Sequence, residues 1–516
     1  MHNKATFRLL LPTSFYWDAI QAKTLGHQAV TDDAPIPGQP KKIDKAKPGA
    51  CPVQPEGKTR KIMADVNQLR DPNYKPPLGE AIPLGIQHVL AMFAGNITVP
   101  LIVALAAGPQ YITVLIQIAL LAAGVATLIQ TIGIGPIGSR LPIVQGTSFA
   151  YIGILTGALK GGATLAAVFG ATLVGGLFQV VLGYFIPQIR KWIPALVSGV
   201  VVMTIGFTLL PVGIKYSAGC GAYPAPFCKA GGFGDLSHWL LALFVIFTIL
   251  VIRRYGKGIW STASIFLGLV VGYVVAIPFG MINSKKVDAI SNASWFGLPD
   301  THFGLEFTTP AAIGLIGLMC IMAFITTIET VGDISGVTMG GADREPTDKE
   351  LKGGVMADGL GSAIVALFGG LPNTSYSQNV GLVSFTKMMS RHVVTIGAIF
   401  LILCGLMPKL AALIAAMPQA VLGGAAIVMF GMIVAAGMKL VGQSGYTSRN
   451  MLIVAISLGL GLGLWQVNQL AGLAQFGPLP VGFLPTWSVP LFVSGIVVSG
   501  LCAAIMNALM PEEEAA

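Results

Sequence analysis

Three acidic residues, Glu329, Asp333 and Asp358, lie in or at the edge of long apolar stretches of the chain. A carboxylate at the centre of a membrane helix costs about 2.5–3.5 kcal/mol on the insertion scale, so such residues usually have a function. Glu329 and Asp333 are four positions apart and therefore lie on one helix face. Their mutual repulsion and their burial both disfavour the charged forms, which makes this pair a candidate for proton exchange near neutral pH. For Asp333 and Asp358, the alternative is that they cap or tether helix ends.

Two similar polar tetrapeptides also lie in apolar runs: TSFA at 147–150 and TSYS at 374–377. Each follows a proline, Pro142 or Pro372, and proline limits the hydrogen bonding of a helix. Free backbone groups at membrane depth are tolerated only where protein or a watery cavity surrounds them. The pattern therefore predicts two interrupted helices beside a cavity. The alternative is a pair of packing seams lined by Ser and Thr.

One histidine within an apolar run, His88, directly follows Gln87 in the stretch GIQHVLAMFAGN. A histidine on an apolar helix face is more often a hydrogen-bonded core residue than a ligand, so a tethering role is favoured. Gln87 and Asn96 are candidates for hydrogen bonds between helices.

The composition places these residues in a membrane protein. The 516 residues are 54% hydrophobic and only 10% charged, whereas soluble domains carry about 25% charged residues. We therefore expect an all-α polytopic membrane protein with spans of roughly 20 residues. Fourteen apolar runs fall near 81–106, 110–134, 142–159, 163–187, 193–213, 236–252, 258–280, 310–332, 353–370, 374–386, 393–416, 418–438, 450–465 and 486–509.

Lysine and arginine residues predict how these spans are oriented. Loops after even-numbered spans hold thirteen of them, loops after odd-numbered spans hold six, and the first 78 residues hold twelve. Basic residues accumulate in cytoplasmic loops, so both termini are expected on the cytoplasmic side of the cytoplasmic (inner) membrane. The net charge of +9 then reflects topology and contact with the anionic lipid bilayer, not binding of nucleic acid.

The first 78 residues are rich in Lys, Asp and Pro and contain no apolar run long enough to span a membrane. This composition predicts a mostly disordered cytoplasmic tail that is retained in the mature chain.

The six cysteines include no CxxC pair of the metal-binding type, and neither a metal nor a cofactor is expected. Cys220 and Cys228 share one polar loop and could form a disulfide if that loop faces an oxidising compartment.

The sequence also indicates an internal duplication. The tetrapeptides TSFA and TSYS are 227 positions apart, and the similar stretches PALVSG at 194–199 and PQAVLG at 418–423 are 224 positions apart. Two offsets this close suggest a repeated unit of seven spans, and an odd number of spans forces the two copies into opposite orientations. Inverted repeats of this kind are typical of secondary transporters, whose binding sites lie near the membrane midplane among interrupted helices.

The stretch QNVGLVSFTK, at 378–387, matches the signature of the nucleobase–ascorbate transporters (nucleobase–cation symporter family 2). That signature has Gln, Glu or Pro first, then Asn, any residue, Gly, four further residues and Thr. A Gln-His pair in the first span, TSFA in the third, ETVGD at 329–333 in the eighth and GGVMADG at 353–359 in the ninth occur in the matching order and spacing. Over residues 75–510 the chain resembles this family.

The resemblance implies a fold of fourteen transmembrane segments as 7+7 inverted repeats, with short strands and half-helices in spans 3 and 10. It implies a homodimer in which a core domain moves against a gate domain in an elevator-like step. The implied divisions are the N-terminal tail (1–78), core segments 79–190 (spans 1–4) and 309–416 (spans 8–11), gate segments 191–308 (spans 5–7) and 417–510 (spans 12–14), and a cytoplasmic C-terminal tail (511–516).

The resemblance also implies roles for nine residues of one site. Glu329 and Gln378 would hold a planar base by side-chain hydrogen bonds. Phe149 would stack on the ring, and the backbone amides of Phe149 and Ser377 would act as donors. The small side chain of Ser148 would leave room for a bulky base. The residues that would support the site or couple it to protons are His88, Asp333, Asp358 and Asn379.

Gln at the first signature position resembles carriers of xanthine and uric acid, whereas Glu resembles uracil carriers and Pro the ascorbate branch. The expected function is therefore proton-coupled import of an oxidised purine base. The alternatives are a uracil permease of the same family and an anion exchanger that shares the 7+7 plan. An enzyme is not expected, because the sequence contains no HExxH motif, nucleophile elbow or paired metal-ligand spacing.

Overall fold

The computed structural model describes residues 66–190, 193–219, 234–282, 284–471 and 494–510. These described residues are mostly helical, at 77%, which confirms the helical class expected from the composition. The Cys220–Cys228 pair, the C-terminal tail and residues 1–65 of the N-terminal tail lie outside the described residues.

The helices and strands follow the predicted apolar runs closely. In the first half of the chain they are α1 (Val66–Leu69), α2 (Leu78–Ala107), α3 (Ile112–Ile132), β1 (Gln145–Thr147), α4 (Ile152–Lys160), α5 (Leu165–Tyr184), α6 (Ile186–Ile189), α7 (Ala195–Ser217), α8 (Leu236–Tyr255), α9 (Ile259–Thr262), α10 (Ser264–Ala276) and α11 (Ser284–Asn292). In the second half they are α12 (Pro310–Ala342), α13 (Asp348–Leu367), β2 (Asn373–Ser375), α14 (Ser377–Thr386), α15 (Arg391–Gly405), α16 (Pro408–Ala415), α17 (Gln419–Gln443), α18 (Ser448–Ala471) and α19 (Gly495–Leu509).

Within the described ranges, eight helices are long and apolar enough to cross a membrane: α2, α3, α5, α7, α8, α12, α17 and α18. The helix pair α15 and α16 would be a ninth span, bent by 79° at its break. The outward faces carry large exposed apolar side chains such as Leu177, Phe247 and Ile399, as expected for surfaces that contact lipid. Of the other predicted spans, α4, α10 and α14 are short and α13 is long enough but carries several charged residues. Part of the last predicted span, 486–493, lies outside the described residues.

Hydroxyl side chains define the starts of several helices. Thr164 caps α5 and Thr309 caps α12, in each case by accepting a hydrogen bond from a backbone N–H of the first turn. Thr347 and Glu350 form a reciprocal capping box at the start of α13. These caps fix where α12 and α13 begin, and these two helices carry the three acidic residues singled out by the sequence.

The packing of the two halves has the pairwise pattern expected of a duplicated unit. By chain order, α2, α3, α5 and α7 correspond to α12, α13, α15 and α17. Helix α3 packs against α15, and the corresponding contact between α13 and α5 is also present. Likewise α2 packs against α15, and α12 packs against α5. Helix α7 also contacts its counterpart α17, and strand β1 contacts its counterpart β2. The predicted repeats therefore interlock around a pseudo-two-fold axis.

Some of these contacts require glycine. A Cβ added at Gly176 on α5 would lie 2.7 Å from the carbonyl oxygen of Gly359 on α13, and one added at Gly359 would lie 2.6 Å from the carbonyl oxygen of Gly176. The two backbones therefore touch directly, as in the close helix packing that small residues permit in membranes.

Candidate functional site

The two polar tetrapeptides meet in a buried pair of short strands. Strand β1 pairs antiparallel with β2, with Gln145 opposite Ser375, Gly146 opposite Thr374 and Thr147 opposite Asn373. The pairing extends beyond the strands, because the Ser148 N–H donates to the Pro372 carbonyl at 2.8 Å. The two interrupted helices predicted from TSFA and TSYS are thus present and face each other.

A short helix begins immediately after each strand. Phe149 opens a 3-10 turn (Phe149–Tyr151) that continues into α4, and Ser377 is the first residue of α14. The first N–H groups of a helix have no intrahelical acceptor and carry partial positive charge, so they can bind oxygen atoms of a ligand. Both backbone donors expected from the family resemblance therefore lie at helix N-termini on either side of the strand pair.

Asp333 holds the second tetrapeptide in place. Its two carboxylate oxygens accept hydrogen bonds from the Ser375 hydroxyl at 2.8 Å and the Ser377 hydroxyl at 2.7 Å. Helix α12 is thereby joined to both β2 and the start of α14.

Asp358 is fully buried and joins both repeats. It accepts hydrogen bonds from the side chains of Gln145 and Thr330, and more weakly from the Ser375 backbone N–H at 3.4 Å. Gln145 and Thr330 did not emerge from the sequence reasoning. The signal that could have identified them is their position beside TSFA and Glu329, as polar residues within apolar runs.

Glu329 differs from the two aspartates. It is 7% exposed, and one of its carboxylate oxygens, Oε2, is buried without a hydrogen-bond partner among the described residues. A buried carboxylate without donors is costly, because it loses its hydration without replacement. This oxygen therefore requires a proton or a donor from a ligand.

Other buried polar atoms around the strand pair are also without partners. Of the thirteen such side-chain atoms found in the described parts of the chain, seven belong to residues of the strand pair or its immediate supports. These residues are Gln145, Ser148, Glu329, Asn373, Thr374 and Asn379, with Asn373 contributing two atoms. Buried polar groups in folded proteins normally have hydrogen-bond partners. The concentration of unpartnered polar atoms around the strand pair therefore indicates a site that can form hydrogen bonds with a ligand.

The polar residues of α2 support the strands from one side. Asn379 donates from its Nδ2 to the His88 carbonyl at 2.9 Å and lies 3.1 Å from His88 Nδ1. The Thr147 N–H donates to Asn96 Oδ1 at 2.9 Å. Gln87 donates to the Thr262 hydroxyl at 2.6 Å. These contacts join α2 to α14, to β1 and to α9.

Phe149 is packed between two aromatic rings. Its ring centroid lies 6.1 Å from that of Tyr376, in a tilted arrangement, and 5.6 Å from that of Phe430 on α17, in a T-shaped arrangement. Tyr376 is fixed in turn by donation from its hydroxyl to the Thr147 carbonyl at 2.9 Å. Phe149 is thus adjacent to the strand pair, and the whole residue is only 6% exposed in this conformation.

A cavity of about 810 Å³ reaches the site from one side. Asp333, Ser377 and Gln378 line it on the strand-pair side, and Met432 and Ile433 of α17 line the opposite wall. No described residue donates to or accepts from the Gln378 carboxamide, so its hydrogen-bonding groups face the cavity. Three basic residues also line the cavity: Arg253, Lys257 and Lys439.

The structure thus brings Asp333, Ser377 and Gln378 to one cavity wall, whereas Glu329, Phe149 and Ser148 do not line this cavity. Ser148 is 1% exposed and its hydroxyl belongs to the unpartnered set. No group of three or more His, Cys, Asp or Glu side chains in the described ranges is arranged to hold a metal ion.

The sequence that forms this site is similar to those of known permeases. The sequence model of the permease family (Xan_ur_permease) matches residues 79–470. The chain is 35% identical to the uric acid transporter UacT of Escherichia coli over 439 residues, which cover 83% of this chain and 86% of the relative. It is 34% identical to the xanthine permease XanP of Escherichia coli over 461 residues, which cover 85% of this chain and 94% of the relative.

Among solved structures, the fold is similar to the transmembrane domain of the cyanobacterial bicarbonate transporter BicA. The TM-score is 0.51 at 15% sequence identity, and the match covers 83% of this chain and 97% of that domain. At this identity the likeness concerns the fold alone, which is the seven-plus-seven arrangement of spans.

Proposed function

This chain belongs to the nucleobase–ascorbate transporter family of permeases, and from that premise we propose that it is a proton-coupled symporter importing an oxidised purine base, xanthine and/or uric acid. Relatives named as xanthine and uric acid permeases support nucleobase transport. Permeases are transporters, which confirms the prediction that the chain is not an enzyme. Its apolar spans and its family make it a multi-pass membrane protein.

The observation that carries the proposal is the set of unpartnered polar atoms around the strand pair, together with the free carboxamide of Gln378 in the cavity. A planar base has N–H and C=O groups along its edge and a π face. A carboxylate such as Glu329 accepts from N–H groups, whereas the Gln378 carboxamide both donates and accepts. The helix N-termini at Phe149 and Ser377 supply donors for carbonyl oxygens, and the Phe149 ring covers the π face once it turns toward the base.

We assign the exchangeable proton to Glu329. Asp333 and Asp358 each accept hydrogen bonds from two or more protein groups, and such bonds favour the charged form of a carboxylate. Glu329 has an oxygen that none of the described donors reaches. In this proposal Asp333, Asp358, His88 and Asn379 support the site, and Glu329 binds a proton and the base together.

We further propose that transport is an elevator-like movement of a core against a gate. The core comprises 79–190 (spans 1–4) and 309–416 (spans 8–11), and the gate comprises 191–308 (spans 5–7) and 417–510 (spans 12–14). The cavity supports this division, because residues of α12 and α14 from the core and of α17 from the gate line it together. Fourteen spans, cytoplasmic termini (tails 1–78 and 511–516), proton coupling and a homodimer complete the proposal.

A competition-uptake panel tests this function. Cells that express the chain take up labelled xanthine in the presence of excess urate, hypoxanthine, uracil or ascorbate, with and without an imposed proton gradient. Competition by urate and xanthine together with gradient-driven accumulation supports the proposal. Competition by uracil alone would favour the pyrimidine alternative, and uptake of bicarbonate or sulfate without purine transport would favour the anion exchanger.

A further inference from the structure

A short segment before the first long helix, α2, is hydrogen-bonded to the loop that follows α14. This segment, residues 68–77, is called the strap below. The Met389 N–H donates to the Leu69 carbonyl at 2.8 Å, and the Arg391 N–H donates to the Pro72 carbonyl at 3.0 Å. The Ser390 hydroxyl donates to the Tyr74 carbonyl at 2.5 Å. The last two residues of the loop between α14 and α15 and the first residue of α15 are therefore tied to the strap.

The strap also contributes a small hydrophobic cluster of its own. Buried Ala81, Met388 and Val393 form its centre, and Leu69 and Tyr74 of the strap pack against them. An Asx turn shapes the strap between these two residues, since the Asn73 N–H donates to Asp71 Oδ1 at 2.9 Å. The cluster is separate from the main core, and the packing of Leu69 and Tyr74 against it helps to hold the strap in place.

Charged side chains extend the contact to the end of α12. Arg70 pairs with Asp343, and the same carboxylate lies 3.4 Å from Lys387 Nζ. Lys387 also donates to the Gly340 carbonyl at 2.7 Å. Asp343 is the C-cap of α12 and Lys387 is the C-cap of α14, so one cluster joins the strap to both helix ends.

The backbone at these two caps is unusual. Asp343 has φ 53° and Lys387 has φ 56°, and they are two of the three non-glycine residues with positive φ found in the described ranges. Such residues persist where the surrounding structure imposes the conformation, often at functional sites. The helix ends are also in close contact, because a Cβ at Gly341 would lie 2.3 Å from Met389 Sδ.

These ends belong to the elements that hold the proposed site. Helix α14 has ten residues and is therefore about 15 Å long, with Ser377 and Gln378 at one end and Lys387 at the other. A rigid helix this short transmits any displacement of its C-terminus to its N-terminus. Helix α12 carries Asp333, which holds Ser377, about three turns before Asp343.

We propose that the strap fixes the position of α14 against α12, and that Arg70 is a positioning residue for Gln378 and Ser377. Arg70 acts through Asp343 and Lys387 and does not touch the substrate. The part concerning Gln378 rests on the proposed function. Loss of the Arg70 contact leaves the backbone bonds of the strap in place but removes its link to the two helix ends, so that α14 tilts against α12 and the carboxamide moves away from the base.

The test compares Arg70→Ala and Arg70→Lys with Lys75→Ala, which removes an exposed positive charge from the same strap without touching Asp343. We expect Arg70→Ala to raise the KM for xanthine or urate about fivefold at unchanged maximal rate per transporter in the membrane. Arg70→Lys should restore most of the affinity, and Lys75→Ala should behave as the parent. Asp343→Asn keeps a residue that tolerates positive φ but loses the ion pairs with Arg70 and Lys387. Its KM should therefore match that of Arg70→Ala. The double variant Arg70→Ala/Asp343→Asn should have a KM no higher than that of either single variant.

A second measurement does not depend on transport. A cysteine in place of Val380, which lines the cavity on α14, is alkylated by N-ethylmaleimide without substrate, and the labelling of the parent chain is subtracted. Arg70→Ala and Asp343→Asn should change this rate at least about threefold, and Lys75→Ala should not. Unchanged alkylation in both variants would overturn the strap proposal. Changed alkylation in a chain that transports no purine would support the strap and reject the proposed function instead. A reduced amount of protein in the membrane with parental KM and parental alkylation would also overturn it.

Discussion

The substitution Gln378→Glu tests whether the second tetrapeptide binds the base directly. Gln378 lines the cavity, and its carboxamide makes no hydrogen bond to any residue that the structure describes. The substitution therefore removes no protein–protein hydrogen bond, and the protein should reach the membrane in parental amounts. Its effect should be confined to the substrate.

The size of the effect follows from hydrogen-bonding capacity. An amide donates and accepts, whereas an ionised carboxylate only accepts. A purine carbonyl that accepts from the amide would instead face a negative charge, and Asp333 already lies on the same cavity wall. An unpaired buried polar group costs roughly 1–3 kcal/mol, which corresponds to about fivefold to 150-fold in affinity.

The assay is saturation uptake of xanthine and urate, normalised to the amount of transporter in the membrane. Val380→Ala is the matched control, because Val380 lines the same cavity and offers no side-chain hydrogen bond. It packs against Gly336 of α12, so a small loss is expected there. If Gln378→Glu retained parental affinity and parental preference among bases, the tetrapeptide would be a packing seam and the proposed site would be wrong.

Three further predictions follow from the same geometry. Glu329→Gln keeps the shape but removes the exchangeable charge, so proton-driven accumulation should collapse even where binding survives; undiminished uptake against a gradient would exclude a central role for Glu329. Gln145→Ala removes one donor from the buried carboxylate of Asp358 and should lower the free energy of unfolding by about 1–3 kcal/mol; a melting temperature equal to that of the parent would show that the bond is not needed. A cysteine near Lys257 or Asp348 should react with an impermeant thiol reagent only from the cytoplasm, and one near Lys285 only from outside; the opposite pattern would invert the proposed orientation.

Much of this architecture could be predicted because it depends on local composition. Long apolar runs form helices in a membrane whatever their neighbours are, and a proline followed by Ser and Thr ends or interrupts a helix by itself. The spacing of Glu329 and Asp333 places them on one face of α12 without reference to any other element. The duplication was visible as two similar offsets, and the corresponding helix contacts are present in the structure.

Only the tertiary structure decided which of the three carboxylates has a buried oxygen that no described residue reaches. The donors to Asp358 come from Gln145, which is 213 positions away, and from Thr330, which is 28 positions away. The register of β1 against β2 likewise joins residues more than 200 positions apart. The strap and its contact with Asp343 span 273 positions. Hydrogen bonds between such distant residues depend on how the two repeats interlock, and local hydrophobic patterns contain no information about that alignment.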